Sequence, residues 1–387
     1  MVDSFIPQIR FKICKNQWEK NKLSKLAKFN PKSTLPEKFK YVDLESVLGT
    51  DLISYREVSR ENAPSRAQRL AQKGDIFYQT VRPYQKNNYL FDSDEKEYVF
   101  STGYAQLRPL IDSAFLFARL QEESFVNKVL ERCTGTSYPA INSKDLSKIS
   151  VTIPQTTEEQ SAIGSLFCTI DDLLASYKEN LANYRSLKTT MLTKMIPKAG
   201  QTIPEIRMDG FKGEWEIKKF KSISTKRGKT NSKGYDYPAY SVSNQSGLIP
   251  QSEQFEGSRL ENLEKMSYKT VGPNEFAYNP ARINVGSIAF NDIEETVIVS
   301  SLYVIFSLDK SVNNNYALLF IKSPEFNKEV RRNTEGSVRE YLFYENFANI
   351  RIPIPPSLEE QQAIGSYFSN LDNLISTHQE KISQLET

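Results

Sequence analysis

Residues 158–176, EEQSAIGSLFCTIDDLLAS, return at 359–377 as EEQQAIGSYFSNLDNLIST, with ten of nineteen positions identical. A period of about 200 residues is too long for a stacked solenoid and fits two copies of one domain-plus-helix unit. The match extends outward from the helices. Ile149, Val151, Ile153 and Pro154 correspond to Ile350, Ile352, Ile354 and Pro355. Their period-two alternation predicts a strand that ends at a proline. FLFARLQEESF (115–125) corresponds to YALLFIKSPEF (316–326), a helix in each copy. Gly135-Thr136 corresponds to Gly336-Ser337, Asp145-Leu146 to Asn346-Phe347, and Tyr78 and Arg82 to Tyr278 and Arg282. PQIRF (7–11) and Trp18 match PEIRM (204–208) and Trp215. The duplication therefore covers nearly the whole chain.

The expected fold class is α+β: two mixed α/β domains joined by two long antiparallel coiled-coil helices, with a pseudo-two-fold internal duplication. The expected boundaries are 1–154 for the first domain, 155–198 for a central helix, 199–355 for the second domain and 356–387 for a shorter distal helix. Both helices open with a capping box, Thr156-x-x-Glu159 and Ser357-x-x-Glu360, in which a hydroxyl and a carboxylate satisfy free backbone N–H groups. Pro197 should end the first helix. A heptad stripe runs through Ile163, Phe167, Ile170, Leu174, Tyr177, Leu181 and Tyr184. The second stripe is Ile364, Phe368, Leu371, Ile375, His378, Ile382 and Leu385. Alternating three- and four-residue steps make the narrow seam of a coiled coil. After Ile382 only SQLET follows, where the first helix continues NYRSLKTTMLTKMIP after Leu181.

The formal net charge of +3 conceals an uneven distribution. Residues 157–196 and 357–387 together carry −5, so the globular parts carry +8. A basic excess suits a phosphate-binding surface. No long apolar run predicts a membrane span, and MVDSFIPQIRFKICKNQWEK lacks the apolar stretch of a secretory signal. Three dispersed cysteines, Cys14, Cys133 and Cys168, fit reduced thiols in a cytoplasmic protein.

Familiar catalytic patterns are missing. The only histidine, His378, lies on the helical seam, and no His/Cys cluster has metal spacing. Gly228-Lys229-Thr230 ends like a phosphate-binding loop, but Ile223 stands where that loop needs glycine. Tyr278-Asn279-Pro280-Ala281 begins like an amino-methyltransferase motif but lacks its second proline and following aromatic. No catalytic residue and no metal ligand is expected.

Taken with these absences, the repeated segments GTSYPAINSKDLSKISVTIP and TTEEQSAIGSLFCTIDDLLA are informative. So are GDIFYQTVRP (74–83), STGYAQLRP (101–109), RINVGSIAF (282–290) and SLKTTMLTKMIP (186–197). Together they resemble the specificity subunit of Type I restriction–modification systems. The resemblance implies two target-recognition domains, each reading half of a split duplex DNA sequence. It implies helices that set the spacing and dock two methyltransferase subunits, with motor–nuclease subunits joining the same core. The complex would be an adenine-specific DNA methyltransferase and ATP-dependent endonuclease. S-adenosylmethionine, ATP and Mg would be held by partner subunits and none by this chain. The shorter distal helix departs from the family pattern.

Arg, Lys, Asn and Gln are the side chains suited to base edges and phosphates. In the first domain the candidates are Arg56, Arg60, Arg66 and Arg69, then Tyr78, Arg82, Tyr84, Lys86 and Asn87. In the second they are Lys226, Arg227, Lys229, Thr230, Asn231 and Lys233, then Tyr278, Asn279, Arg282 and Asn284. The competing reading is a non-catalytic coiled-coil scaffold whose heads bind protein.

Overall fold

A two-stranded antiparallel ribbon closes each copy of the repeat onto its long helix. In the first copy Glu19–Lys22 pairs with Ser150–Ile153, and in the second Glu216–Lys219 pairs with Arg351–Ile354. These are the strands predicted by the Ile/Val alternation, and each leads through proline into a helix. The computed structural model describes residues 10, 16–135, 137–198, 200–244, 247–254, 265–333 and 341–386. The Gly336-Ser337 match, Cys14 and most of PQIRF lie outside them. The chain divides into two units, Met1–Ala175 and Ser176–Thr387, with the division inside the long helix Thr157–Lys194.

In the first unit a four-stranded antiparallel sheet runs in the order Ala27–Phe29, Tyr104–Pro109, Ile76–Gln79, Tyr89–Leu90. A second sheet runs Arg56–Ser59, Lys38–Val42, Tyr98–Ser101, Ala67–Leu70. Phe77, Phe91, Phe100 and Tyr104 fill one core, in which Phe77 and Phe100 stack with centroids 3.6 Å apart. The second unit repeats the first sheet as Ser224–Arg227, Val304–Leu308, Phe276–Tyr278, Ile288–Phe290. In place of the second sheet it has two-stranded pairs, Tyr240–Ser243 with Gly247–Pro250 and Lys269–Val271 with Val297–Val299.

The segments expected as one helix per copy are two. They are Ser113–Gln121 and Glu123–Leu130 in the first unit, and Asn314–Ile321 and Pro324–Asn333 in the second. Glu122 takes an extended backbone, and Pro324 disfavours helical geometry at the residue before it.

Each long helix abuts the N-terminus of the first of these helices through a glycine. A Cβ on Gly164 would lie 2.7 Å from Asp112 Oδ1 and 2.8 Å from the Phe115 amide nitrogen. On Gly365 it would lie 2.9 Å from Asn315 Cβ and 3.3 Å from Asn313 Oδ1. Asp112 and Asn313 are the N-caps there, accepting from Phe115 N at 2.8 Å and Tyr316 N at 3.0 Å.

The hydroxyl half of each expected capping box forms. Glu159 N donates to Thr156 Oγ1 at 3.3 Å, and Glu360 N donates to Ser357 Oγ at 3.1 Å. The carboxylates are taken by arginines: Arg10 donates twice to Glu159 at 2.8 Å, and Arg207 twice to Glu360 at 2.7 and 2.8 Å. A bidentate, charge-assisted pair outcompetes a single backbone N–H for a buried carboxylate.

The central helix runs 38 residues and stops just short of Pro197. Within the second unit its later half pairs antiparallel with the distal helix Leu358–Glu386. Lys178 meets Glu386, Arg185 Nη2 donates to Gln379 at 2.9 Å, and Lys188 meets Asp372. His378 sits between Tyr177 and Tyr184, with centroids 5.4 and 5.1 Å away, and shares a 2.8 Å hydrogen bond with Leu374 O. The predicted seam needs one correction. It is covered at Leu181, Ile364, Phe368 and Leu371, but Phe167 stands 46% exposed.

Candidate nucleic-acid interface

In the first unit the loop after Ile76–Gln79 is held by buried amides. Gln79 N donates to Asn88 Oδ1 at 2.7 Å, and Asn88 Nδ2 to Gln121 Oε1 at 2.8 Å. Gln79 Nε2 donates to Val81 O at 2.7 Å and to Gln85 Oε1 at 3.0 Å. Arg82 and Lys86 are left-handed (φ 54° and 56°), a conformation that non-glycine residues keep only where the surroundings enforce it. The Arg82 guanidinium lies 4.3 Å from the ring centroid of Tyr138, itself 63% exposed. Tyr84 is exposed. Lys86 is committed to Glu123 at 2.5 Å, and Asn87 Oδ1 accepts from Gly49 N at 2.9 Å.

The arginine cluster lies on the second sheet of this unit. Arg56 pairs with Asp43 at 2.7 Å and lies over Tyr41. Arg60 donates to the carbonyls of Pro36 and Leu35. Arg66 is exposed and has no side-chain partner among the described residues. Arg69 is half-buried, its Nε has no partner among the described residues, and burial pushes its guanidinium pKa down.

In the second unit Lys226 pairs with Glu345 at 2.7 Å. Arg227 donates to Ser307 Oγ at 3.0 Å and lies 3.8 Å from Glu275. The following loop runs beside Lys269–Val271, where Thr270 N donates to Lys229 O at 2.9 Å and Thr230 bridges to Lys269. Lys229, Thr230 and Lys233 are exposed. Asn231 is 3% exposed and ties the loop together, donating to Tyr235 O at 2.9 Å and to Lys265 O at 3.2 Å and accepting from Tyr235 N at 3.1 Å. Arg282 and Asn284 are exposed on the next turn, where Asn279 Oδ1 accepts from Ala281 N at 3.0 Å.

Three candidates are corrected by burial. Tyr78 and Tyr278 are fully buried, desolvation drives both phenol pKa values up, and Tyr278 Oη donates to Leu342 O at 3.0 Å. Asn231 is a loop-forming amide. The buried strand positions of Tyr78 and Tyr278 and the backbone partners of Asn231 decide this, and an isolated loop reading cannot see them. Of the remaining cations, Arg56, Lys86, Lys226 and Arg227 face acids within their own unit. Arg66, Arg82, Lys229, Lys233 and Arg282 face none among the described residues.

Exposed aromatics were missed. Tyr138 borders the Arg82 loop, where Arg82 N donates to Pro139 O at 2.8 Å. Tyr341 and Phe343 stack in parallel, 5.9 Å apart and exposed, beside Leu342, whose amide donates to Pro280 O at 3.0 Å. The Tyr-Pro step in the repeated GTSYPAIN segment was the available signal for the first. Among the described residues, no group of three or more His, Cys, Asp or Glu is placed to hold a metal ion, and no helix is long and apolar enough to cross a membrane.

Two copies of one framework, each presenting pinned loops with free cations and exposed aromatics, define a duplicated recognition protein. The sequence model of the Type I restriction modification DNA specificity domain matches residues 15–183 and again 212–387. The chain belongs to this family, and its role is that of a DNA specificity subunit. It is similar to the specificity subunit of the Type I restriction enzyme MjaVIII of Methanocaldococcus jannaschii, with 23% identity over 310 residues, 73% of this chain and 68% of the relative. The HindI specificity subunit of Haemophilus influenzae is 28% identical over 139 residues, 34% of this chain and 30% of the relative. The crystal structure of the Type I restriction–modification S subunit from M. genitalium shares the fold, with a TM-score of 0.61 and 14% identity, covering 99% of this chain and 96% of that one.

Proposed function

We infer that each unit reads one half of a bipartite duplex DNA target. The carrying observation is that both copies keep the same framework sheet and helix junction while their loops differ in sequence and anchoring. Two equivalent framework sheets and helix junctions suit two equivalent docking partners, and different loops suit two different half-sites. In this reading Arg66, Arg82, Lys229, Lys233 and Arg282 neutralise phosphates, and exposed polar groups unique to one copy, such as Thr230 and Asn284, read base edges.

The helices set the distance between half-sites and dock two methyltransferase subunits. Motor–nuclease subunits complete the assembly, which methylates adenine and cleaves DNA with ATP. S-adenosylmethionine, ATP and Mg belong to those partners, and the assembly works in the cytoplasm. The chain itself contributes specificity.

The test is a map of adenine methylation in cells carrying this chain and its methyltransferase partner. Replacing residues 1–150 with those of a relative should change one half-site and leave the other intact. A change in both halves, or in neither, overturns the reading.

A further inference from the structure

The helix pair Asn314–Ile321 and Pro324–Asn333 of the second unit carries charges that its counterpart in the first unit lacks. By the repeat, Lys322, Lys328 and Arg331 stand where the first copy has Gln121, Asn127 and Leu130. These cations are therefore no part of the shared framework. All three border one open cavity of about 590 Å3, whose other wall is the central helix at Lys188 and Thr189. Four cations thus line it, and no carboxylate among the described residues does.

Carboxylates outside the cavity meet two of the four. Asp372, halfway along the distal helix, pairs with Lys188, and Glu325 pairs with Lys328 at 2.7 Å. Lys322 and Arg331 form no ion pair among the described residues, so two positive charges lack a counter-ion. Burial pushes the Lys322 ammonium pKa down, Lys188 pushes the same way and Asp372 opposes them. Holding like charges together in a partly dewatered space costs free energy, and a bound anion removes that cost. Asn327 lines the same cavity, and its Oδ1 is buried with no partner among the described residues. A half-turn of the amide exchanges that oxygen for the Nδ2 donor, which suits an anion's oxygen.

We propose that this cavity binds a compact oligophosphate anion, of the class formed by the phosphate chain of a nucleoside di- or triphosphate. Charge density selects this ligand. An oligophosphate concentrates several negative charges in one cavity, whereas a DNA strand carries one per phosphate and an acidic peptide one per side chain. The lining side chains agree: Arg331 offers a planar fork to phosphate oxygens, and the lysines act as point charges. The site shares no residue with the candidate DNA-contacting loops, and the proposal does not depend on the DNA reading.

The probe is sodium tripolyphosphate, titrated into the full chain at low salt and followed by calorimetry. One saturable site is expected. Arg331→Ala, at an exposed side chain, should weaken binding by about tenfold or more while the melting temperature holds. Lys322→Gln, which installs the residue type of the first copy, should weaken it as well. Arg332→Ala is the control, since Glu329 already meets that arginine at 2.6 Å, and it should leave the affinity within about twofold. The proposal is overturned by absence of saturable binding, or by binding that survives both Arg331→Ala and Lys322→Gln, which would put the phosphate elsewhere on the chain. Displacement of the bound probe by duplex DNA of unrelated sequence would give the cavity to the DNA backbone, and displacement by a poly-glutamate peptide would give it to an acidic polypeptide. Either result overturns the proposal too.

Discussion

At the start of the central helix Glu159 accepts from Arg10 and also from the Trp18 indole at 3.1 Å. At the equivalent place in the second copy Glu360 accepts from Arg207, and the indole N–H of Trp215 is buried with no hydrogen-bond partner among the described residues. The rings keep their place all the same: Trp18 lies edge-on to Phe115 and Trp215 to Tyr316, each with centroids 6.0 Å apart. The arginine–glutamate pair and the aromatic packing are thus the common core of the junction, and the indole hydrogen bond is dispensable to it. Around this shared joint the copies diverge, in the second sheet of the first unit, in the polar loops and in how far the helical seam is covered.

The largest effect should come from breaking the shared joint unevenly. Arg207→Ala leaves Glu360 buried and unpaired, which costs about 3–5 kcal/mol. Arg10→Ala should cost less, because Glu159 keeps the Trp18 donor. Urea unfolding of the full chain measures both, and an equal or larger loss for Arg10→Ala would contradict the difference drawn between the two junctions. Next comes the seam. Phe368→Ala removes a core side chain and should cost about 3–5 kcal/mol, whereas Phe167→Ala should stay within about 1 kcal/mol. Comparable losses would mean that both seams are covered in solution.

A smaller contrast lies at the glycines. Gly164→Ala pushes a methyl against the Phe115 backbone and should cost about 1–3 kcal/mol. Gly365→Ala meets the Asn315 side chain first and should cost less, as thermal melts would show. The smallest contrast concerns the loops. Lys229→Ala, which removes an unpaired cation, should lower the salt dependence of DNA binding by about one counterion. Lys226→Ala, whose charge Glu345 already meets, should change it less. Equal slopes would remove the distinction between paired and free cations.

The duplication, the helix starts, the Ile/Val strands before each proline and the helical seam were legible because period and capping are local patterns. Which seam residues are covered was not legible, since Phe167 and Phe368 sit in nearly the same sequence and differ only in what packs over them. The loop candidates divided for the same reason. Tyr78, Tyr278 and Asn231 look like surface residues by type, yet hydrogen-bonding partners and strand neighbours far along the chain enclose them. Sequence alone determined that this protein is two copies of one domain-and-helix unit with a specificity subunit's motifs, because repetition and periodicity are written in residue order. Tertiary structure alone decided which charges remain free and which apolar face stays open, because neutralisation and burial depend on residues brought together from distant parts of the chain.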